Sequence, residues 1–241
     1  MTIAAIYTGG INHPFDTAAP ALARLLDDVG FTPLVSHDLD EVIGVMRSHP
    51  ESLLVVYALR WSMTQHEKYA PYRDEWAFTT PDYARAAIDL HVATGGALLA
   101  LHTASICFDD WPEWPRILGG GWRWGRSHHP PLGPARVTLA PEAPLARGLA
   151  DFELVDEVYA ELELDPAARV LVRAEAEVAP GTVPVDGLQP VAWTHAYGHG
   201  RVVYDGLGHD AESLNHPTHR RLLQRAALWA VGRPYSTVEA A

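Results

Sequence analysis

A single cysteine, Cys107, occurs in 241 residues. No internal disulfide can form, so burial must hold the fold, and a reducing compartment is expected. No apolar run approaches the roughly 20 residues of a bilayer-crossing helix, so no membrane partner is expected. The cations are few and scattered: Lys and Arg number 18 against 30 Asp and Glu, for a net charge of −12. Such a chain repels phosphate backbones, which makes nucleic acid an unsuitable partner. The first residues also lack the basic start, apolar stretch and small-residue cleavage site of a secretory signal. With no repeat, linker or low-complexity stretch either, the expectation is a cytoplasmic protein: one domain over residues 1–234 and a short tail over 235–241.

What is present is an alternation of strand and helix patterns. Residues 3–7 form a short apolar run ending in Thr8-Gly9-Gly10, a buried strand and its turn. Leu22, Leu25, Leu26 and Val29 then recur at helical spacing, with Gly30 as the stop. Residues 31–36 read as the next strand, 42–47 as a helix, and 53–59 as a strand covered on both faces. Thr80-Pro81 opens another helix ending at Gly95, ahead of the apolar run 97–101. This is an α/β class: a mostly parallel sheet flanked by helices on both faces, with ligands expected at the carboxyl ends of its strands. Further on, 137–139, 170–173, 191–194 and 202–204 are short strand candidates, the last two joined by Gly198-His199-Gly200 as a C-terminal β-hairpin. The last long helix carries Leu222, Leu223, Ala226, Ala227 and Ala230.

Thirteen histidines are present, and their placement matters more than their number. His102 directly follows the run 97–101, at the strand-to-helix corner where a nucleophile elbow would hold its reactive group. Cys107 lies five positions later, past that corner, and reads as a small buried apolar residue. His13 follows the first strand and His209 the last. Each alone could be a structural histidine, but parallel strand ends converge on one crevice, which points to a shared site. In His128-His129-Pro130-Pro131, proline holds His129 extended, so only one of the pair faces that site. Strand alternation through Asp156-Glu157 sends Glu157 into the crevice as a general base or metal ligand, unless it is a solvated edge charge like Glu161 and Glu163. Between Trp61 and Phe78 a long connection rich in Trp and Tyr, Trp76 among them, offers an aromatic wall for a sugar ring or a homo-oligomer interface.

Several segments together resemble the ThuA-like family, the trehalose utilisation proteins: Thr8-Gly9-Gly10 with His13-Pro14-Phe15, Leu101-His102-Thr103-Ala104, Gly119-Gly120 with His129-Pro130, Asp156-Glu157-Val158-Tyr159, Pro190-Val191-Ala192-Trp193, Gly198-His199-Gly200-Arg201-Val202 and Gly208-His209-Asp210. The likeness spans nearly the whole chain. It departs at Ala143-Pro144 ahead of Gly148-Leu149, where the family usually has His-Pro. The resemblance implies a class I glutamine amidotransferase-like fold in which His102 replaces the elbow cysteine and His209 takes the place of the triad histidine. It also implies a role with trehalose and related sugars, 3-keto derivatives included.

The leading expectation is a sugar-processing enzyme acting on a disaccharide or keto-sugar by hydrolysis, elimination or isomerisation. His102, His209 and Glu157 form the catalytic set; His13, Trp61, Trp76 and Asp210 bind substrate. His102, His129 and His209 could hold a divalent metal such as zinc, since neutral imidazoles bind such ions and the ion can polarise a carbonyl or activate water. Without a metal, histidines can move protons at neutral pH. Against this stands a noncatalytic sugar- or partner-binding module on the same scaffold. Glutamine hydrolysis is the weakest alternative, because its only thiol, Cys107, is misplaced.

Overall fold

The computed structural model describes residues 1–177, 185 and 187–241. In chain order the first half comprises β1 (Thr2–Gly10), α1 (Phe15–Asp27), β2 (Phe31–Ser36), α2 (Leu39–Ser48), β3 (Leu53–Leu59), α3 (Arg73–Trp76), α4 (Asp82–Ala93) and β4 (Ala97–Leu101). The second half comprises α5 (Trp114–Leu118), β5 (Gly120–Gly121), β6 (Gly133–Leu139), β7 (Phe152–Asp156), β8 (Glu163–Leu164), β9 (Arg169–Ala176), β10 (Gln189–Tyr197), β11 (Gly200–Asp205), α6 (Ala211–Asn215), α7 (Pro217–Ala230) and α8 (Tyr235–Ala240).

Nine strands form one sheet in the order β2-β1-β3-β4-β11-β10-β9-β6-β7. The first five run parallel, as the strand–helix alternation requires. From β10 outward every neighbour is antiparallel, with β10 and β11 meeting at Tyr197 and Gly200. The sheet is therefore mixed, because the second half connects its strands without crossover helices.

Period-2 alternation divides the core in two. Ala4, Ile6, Leu53, Val55 and Tyr57 point to one face, where α1 and α7 cover them. Ala5, Tyr7, Leu54 and Val56 point to the other, beneath α2, α4 and α5. All seven residues of β3 are buried, which explains its unbroken apolar sequence. Helix starts follow local chemistry: the Asp38 carboxylate accepts the Asp40 N–H at 2.9 Å to cap α2, and Pro217 opens α7, where its missing N–H costs nothing.

Two expectations change. Residues 235–241, expected as a tail, carry α8, and its Val238 is fully buried in the α1/α7 core. The connection from Trp61 to Phe78 is not a plain loop: it contains a 3₁₀ turn over Glu67–Tyr72 and then α3, and its ends are tied by Phe78 N–H donating to Trp61 O at 2.9 Å. Among the described residues no helix is long and apolar enough to cross a membrane.

Candidate metal centre

Four segments deliver side chains to the carboxyl edge of the sheet, and backbone shape aims each one. At the end of β1, Gly10 has φ 135°, and a Cβ there would clash with the Leu59 carbonyl, so only glycine lets the chain turn so close to β3. His13 follows that turn. His102 comes directly after β4 with φ 47°, a left-handed conformation that costs a non-glycine residue about 1–2 kcal/mol. Gly208, at φ 98°, turns the chain after β11 so that His209 faces the same edge. Glu157 is the residue after β7, which runs in the same direction as β11 because three antiparallel steps beyond β10 restore it.

Glu157 Oε2 lies at the centre. It is 3.4 Å from His209 Nδ1 and 3.6 Å from both His13 Nε2 and His102 Nε2. These separations are long for hydrogen bonds, and Glu157 Oε2 and His209 Nδ1 are both buried without a hydrogen-bond partner. They are, however, the right length for edges of a coordination shell: ligand atoms about 2.0–2.1 Å from a tetrahedral zinc-like ion sit ~3.3 Å from one another. His13, His102, Glu157 and His209 each offer one such atom, all within 4.8 Å of one another.

Tautomers support the same reading. His102 Nδ1 donates to Gly206 O at 2.8 Å, which leaves Nε2 as a lone pair. His13 Nδ1 faces Ile11 O at 3.5 Å. The two Nε2 atoms then confront each other at 3.2 Å, an arrangement that calls for a shared cation or proton between them. Tyr159 stacks on His102 with ring centroids 4.6 Å apart and closes the site from below.

Charge is already arranged for a cation. Burial would raise the Glu157 carboxyl, but His102, His13 and His209 overturn this and hold it far below the usual carboxylate range. Burial drives His13 down to about 4 against the pull of Glu157, so its imidazole is neutral at pH 7. His209 moves upward, chiefly through its contact with Glu157. An ionised carboxylate thus faces a His13 imidazole able to serve as a neutral ligand.

Above the cluster opens a cavity of about 450 Å³. His13, His129 and Glu157 line it, and so do Trp61, Trp122 and Trp124. The rings form a continuous wall, Trp61 against Tyr69 at 5.3 Å, Tyr69 against Trp124 at 6.3 Å and Trp124 against Trp122 at 6.0 Å.

The structure brings together His102, His209, Glu157 and His13, and it sets three other expected site residues apart from that group. His129 lies beside the group of four and not within it: its Nδ1 donates to Pro130 O at 2.9 Å and stands 3.7 Å from Glu157 Oε2, and the ring sits at the cavity lip with 36% of its side chain exposed. His13, expected to bind substrate, stands in that group instead. Trp76 is not a wall of this cavity, because its ring is turned under the Arg60 guanidinium, 5.3 Å from the centroid. Asp210 caps α6, its Oδ1 accepting Glu212 N–H and Ser213 N–H at 2.9 Å each. Sequence reasoning missed Asn12, set beside the cavity by its left-handed φ of 66°, as well as Trp122 and Trp124, which lie in a turn-rich stretch without periodicity. Cys107 is buried, donates its S–H to Ala58 O at 2.8 Å, and has its thiol pushed up to about 12 by burial.

Fold and site together define an α/β protein with a His₃Glu cluster at the carboxyl edge of its sheet. Residues 4–230 match the ThuA family, described as trehalose utilisation, and the chain belongs to that family. No curated protein sequence matches it. Among solved structures it is similar to a thua-like protein from Parabacteroides merdae ATCC 43184, with 19% identity, a TM-score of 0.73 and coverage of 96% of this chain and 90% of that one. A thua-like protein from Bacteroides uniformis ATCC 8492 gives 18% identity, a TM-score of 0.69 and coverage of 98% and 95%. A cold-adapted β-galactosidase from Rahnella sp. R3 contains a similar fold within a longer chain, at 13% identity and a TM-score of 0.59, covering 96% of this chain and 32% of that one. At these identities the likeness concerns the fold.

Proposed function

We propose that this chain is a sugar-processing enzyme of trehalose, disaccharide or keto-sugar utilisation, with His13, His102, His209 and Glu157 holding a divalent ion at the floor of the cavity. One observation carries the reading: a buried, unpartnered carboxylate oxygen set among three imidazole nitrogens at coordination-shell spacing. A bound ion would supply Lewis acidity toward a sugar carbonyl or hydroxyl oxygen. The chain's own residues do the rest. His129, with its Nδ1 proton engaged by Pro130 O, keeps Nε2 free as a proton acceptor beside the cavity. Trp122 and Trp124 offer faces to the C–H surfaces of a sugar ring, and Tyr159 holds the His102 ring by stacking. Family membership and the β-galactosidase that contains this fold both agree with a carbohydrate substrate.

The scaffold is read as glutamine amidotransferase-like, with His102 where those enzymes carry their cysteine. The left-handed turn of His102 directly after β4 supports this. The test is a comparison of wild type with His129→Ala on trehalose and 3-keto glycosides, with binding and turnover followed separately. His129→Ala is expected to keep sugar affinity within about threefold and to lose 10²–10⁴-fold in turnover. Wild-type turnover in His129→Ala would remove the proton-transfer role. Binding without turnover in the wild type would instead assign the chain to a noncatalytic sugar-binding module.

A further inference from the structure

We propose that Asp156 is the positioning residue of the His/Glu cluster: its buried carboxylate locks Glu157 and His209, which come from distant parts of the chain, into one hydrogen-bonded unit. This rests on the metal-centre reading and extends it to a residue outside the ligand set.

Asp156 closes β7 and is almost wholly buried. A carboxylate there must find partners or unfold its surroundings. Its Oδ1 accepts the Glu157 N–H at 2.8 Å and the His209 N–H at 3.2 Å. Its Oδ2 accepts the Gly208 N–H at 2.8 Å and the Ser213 hydroxyl in a short bond. One side chain therefore satisfies the backbone of two cluster residues and the glycine that turns the chain between β11 and His209. Among the described residues its hydrogen-bond partners are four neutral donors, with the His219 ring standing behind one of them, Ser213.

The other side of the same segment is also pinned. Asp205 Oδ1 accepts the Leu207 N–H at 3.0 Å, and Gly206 O accepts His102 Nδ1–H at 2.8 Å. Tyr57 donates its hydroxyl to Gly208 O at 2.6 Å. His219 lies between the two carboxylates: its Nδ1–H donates to Ser213 O at 2.8 Å and its Nε2 stands 3.4 Å from Asp205 Oδ2. The stretch 206–209 thus has nearly every backbone polar group assigned, and its hold on His102 and on His209 comes from the same few residues. Outer partners of this kind orient metal ligands, and their loss typically costs 10–100-fold in affinity.

The test uses the full chain titrated with Co²⁺, whose visible absorption reports ligand geometry, and with Zn²⁺ in competition. Wild type is compared with Asp156→Asn and with Ile88→Ala, a core truncation within α4 on the other face of the sheet. Asp156→Asn is expected to bind Co²⁺ ~10–100-fold more weakly, with an altered absorption band. Ile88→Ala, although destabilised, should keep the wild-type affinity and spectrum. An Asp156→Asn protein with the wild-type affinity and band overturns the proposal, and so does an equal loss in Ile88→Ala. Should Asp156→Asn fail to fold, Ser213→Ala carries the test, with Co²⁺ affinity lowered several-fold and an unchanged affinity overturning it. If wild type takes up neither ion, the metal reading fails and hydrogen exchange decides the positioning claim separately. Amides 157, 208 and 209 should exchange at least ~10-fold faster in Asp156→Asn or Ser213→Ala than in wild type, while amides of β3 do not change. Unchanged exchange at those three overturns it.

Discussion

At the scale of single residues, Glu157 and Cys107 have opposite parts. Glu157 supplies the only carboxylate among the cluster donors, and its charge is held by the surrounding imidazoles. Glu157→Gln keeps the shape and removes the charge, so divalent-ion affinity should fall by ~10²-fold or more in a chelator competition. Cys107→Ala should leave ion affinity and turnover unchanged while lowering stability by about 1 kcal/mol, the worth of its bond to Ala58 O, read from denaturant unfolding. Loss of turnover in a folded Cys107→Ala would return the thiol to the mechanism. Much of this was legible in the sequence. His102 follows a short apolar run directly and His209 comes a short turn after another, and residues at those places must lie at the sheet edge. His13 could be placed at the edge too, but its role as a ligand depends on the tight turn at Gly10 and Asn12, which no periodicity reveals. The ring position of His129 was not readable, because proline fixes its backbone without fixing its ring, and Nδ1 donates to Pro130 O. Asp156 faces away from the crevice, as alternation requires, yet its long-range partners were invisible in one dimension.

At the scale of elements, α7 and the β11 turn are joined by a buried charge pair. Burial opposes the His219 imidazolium, but Asp205, with help from Ser213 O and the more distant Asp156, raises its proton affinity above the ordinary value. His216, on the preceding turn, is the other titrating neighbour. Because the folded pKa lies above the unfolded one, this stabilisation is fully present below about pH 6.5 and is lost as pH rises through the folded value. Melting temperatures of wild type minus His219→Gln should therefore shrink as pH is raised from 6 toward 9. A difference that grows over that range would contradict the pairing. β1 offers a sharper case. Gly10→Ala would force a Cβ into the Leu59 carbonyl at a left-handed φ, and a destabilisation of about 2 kcal/mol or more is expected in urea unfolding. Strands β1 to β4 and helices α1, α2 and α4 were readable because apolar period and stop signals coincide in them. Strands β6, β7 and β9 were blurred by exposed alternate residues, and α8 by its shortness.

At the scale of the whole molecule, the fold keeps its core on two faces and its chemistry on one edge. The five parallel strands bring His13, His102 and His209 to that edge, while the antiparallel extension carries β7 back in the same direction and adds Glu157. The aromatic cavity above follows from the same geometry, since the 61–78 connection leaves the carboxyl end of β3. Trp124→Ala should weaken sugar binding ~10-fold, whereas Trp76→Ala, under Arg60 and outside the cavity, should leave it unchanged in calorimetry. Equal losses in both would mean the wall has been misplaced. The central claim is that the edge holds an ion. Metal analysis of purified full-length protein, with Zn²⁺, Mn²⁺ and Co²⁺ re-addition after chelation, tests it most directly. About one divalent ion per chain is expected in wild type, together with its loss in both His102→Ala and Glu157→Gln. A folded wild-type chain that takes up no ion at micromolar concentrations, or variants that bind as wild type does, would contradict it.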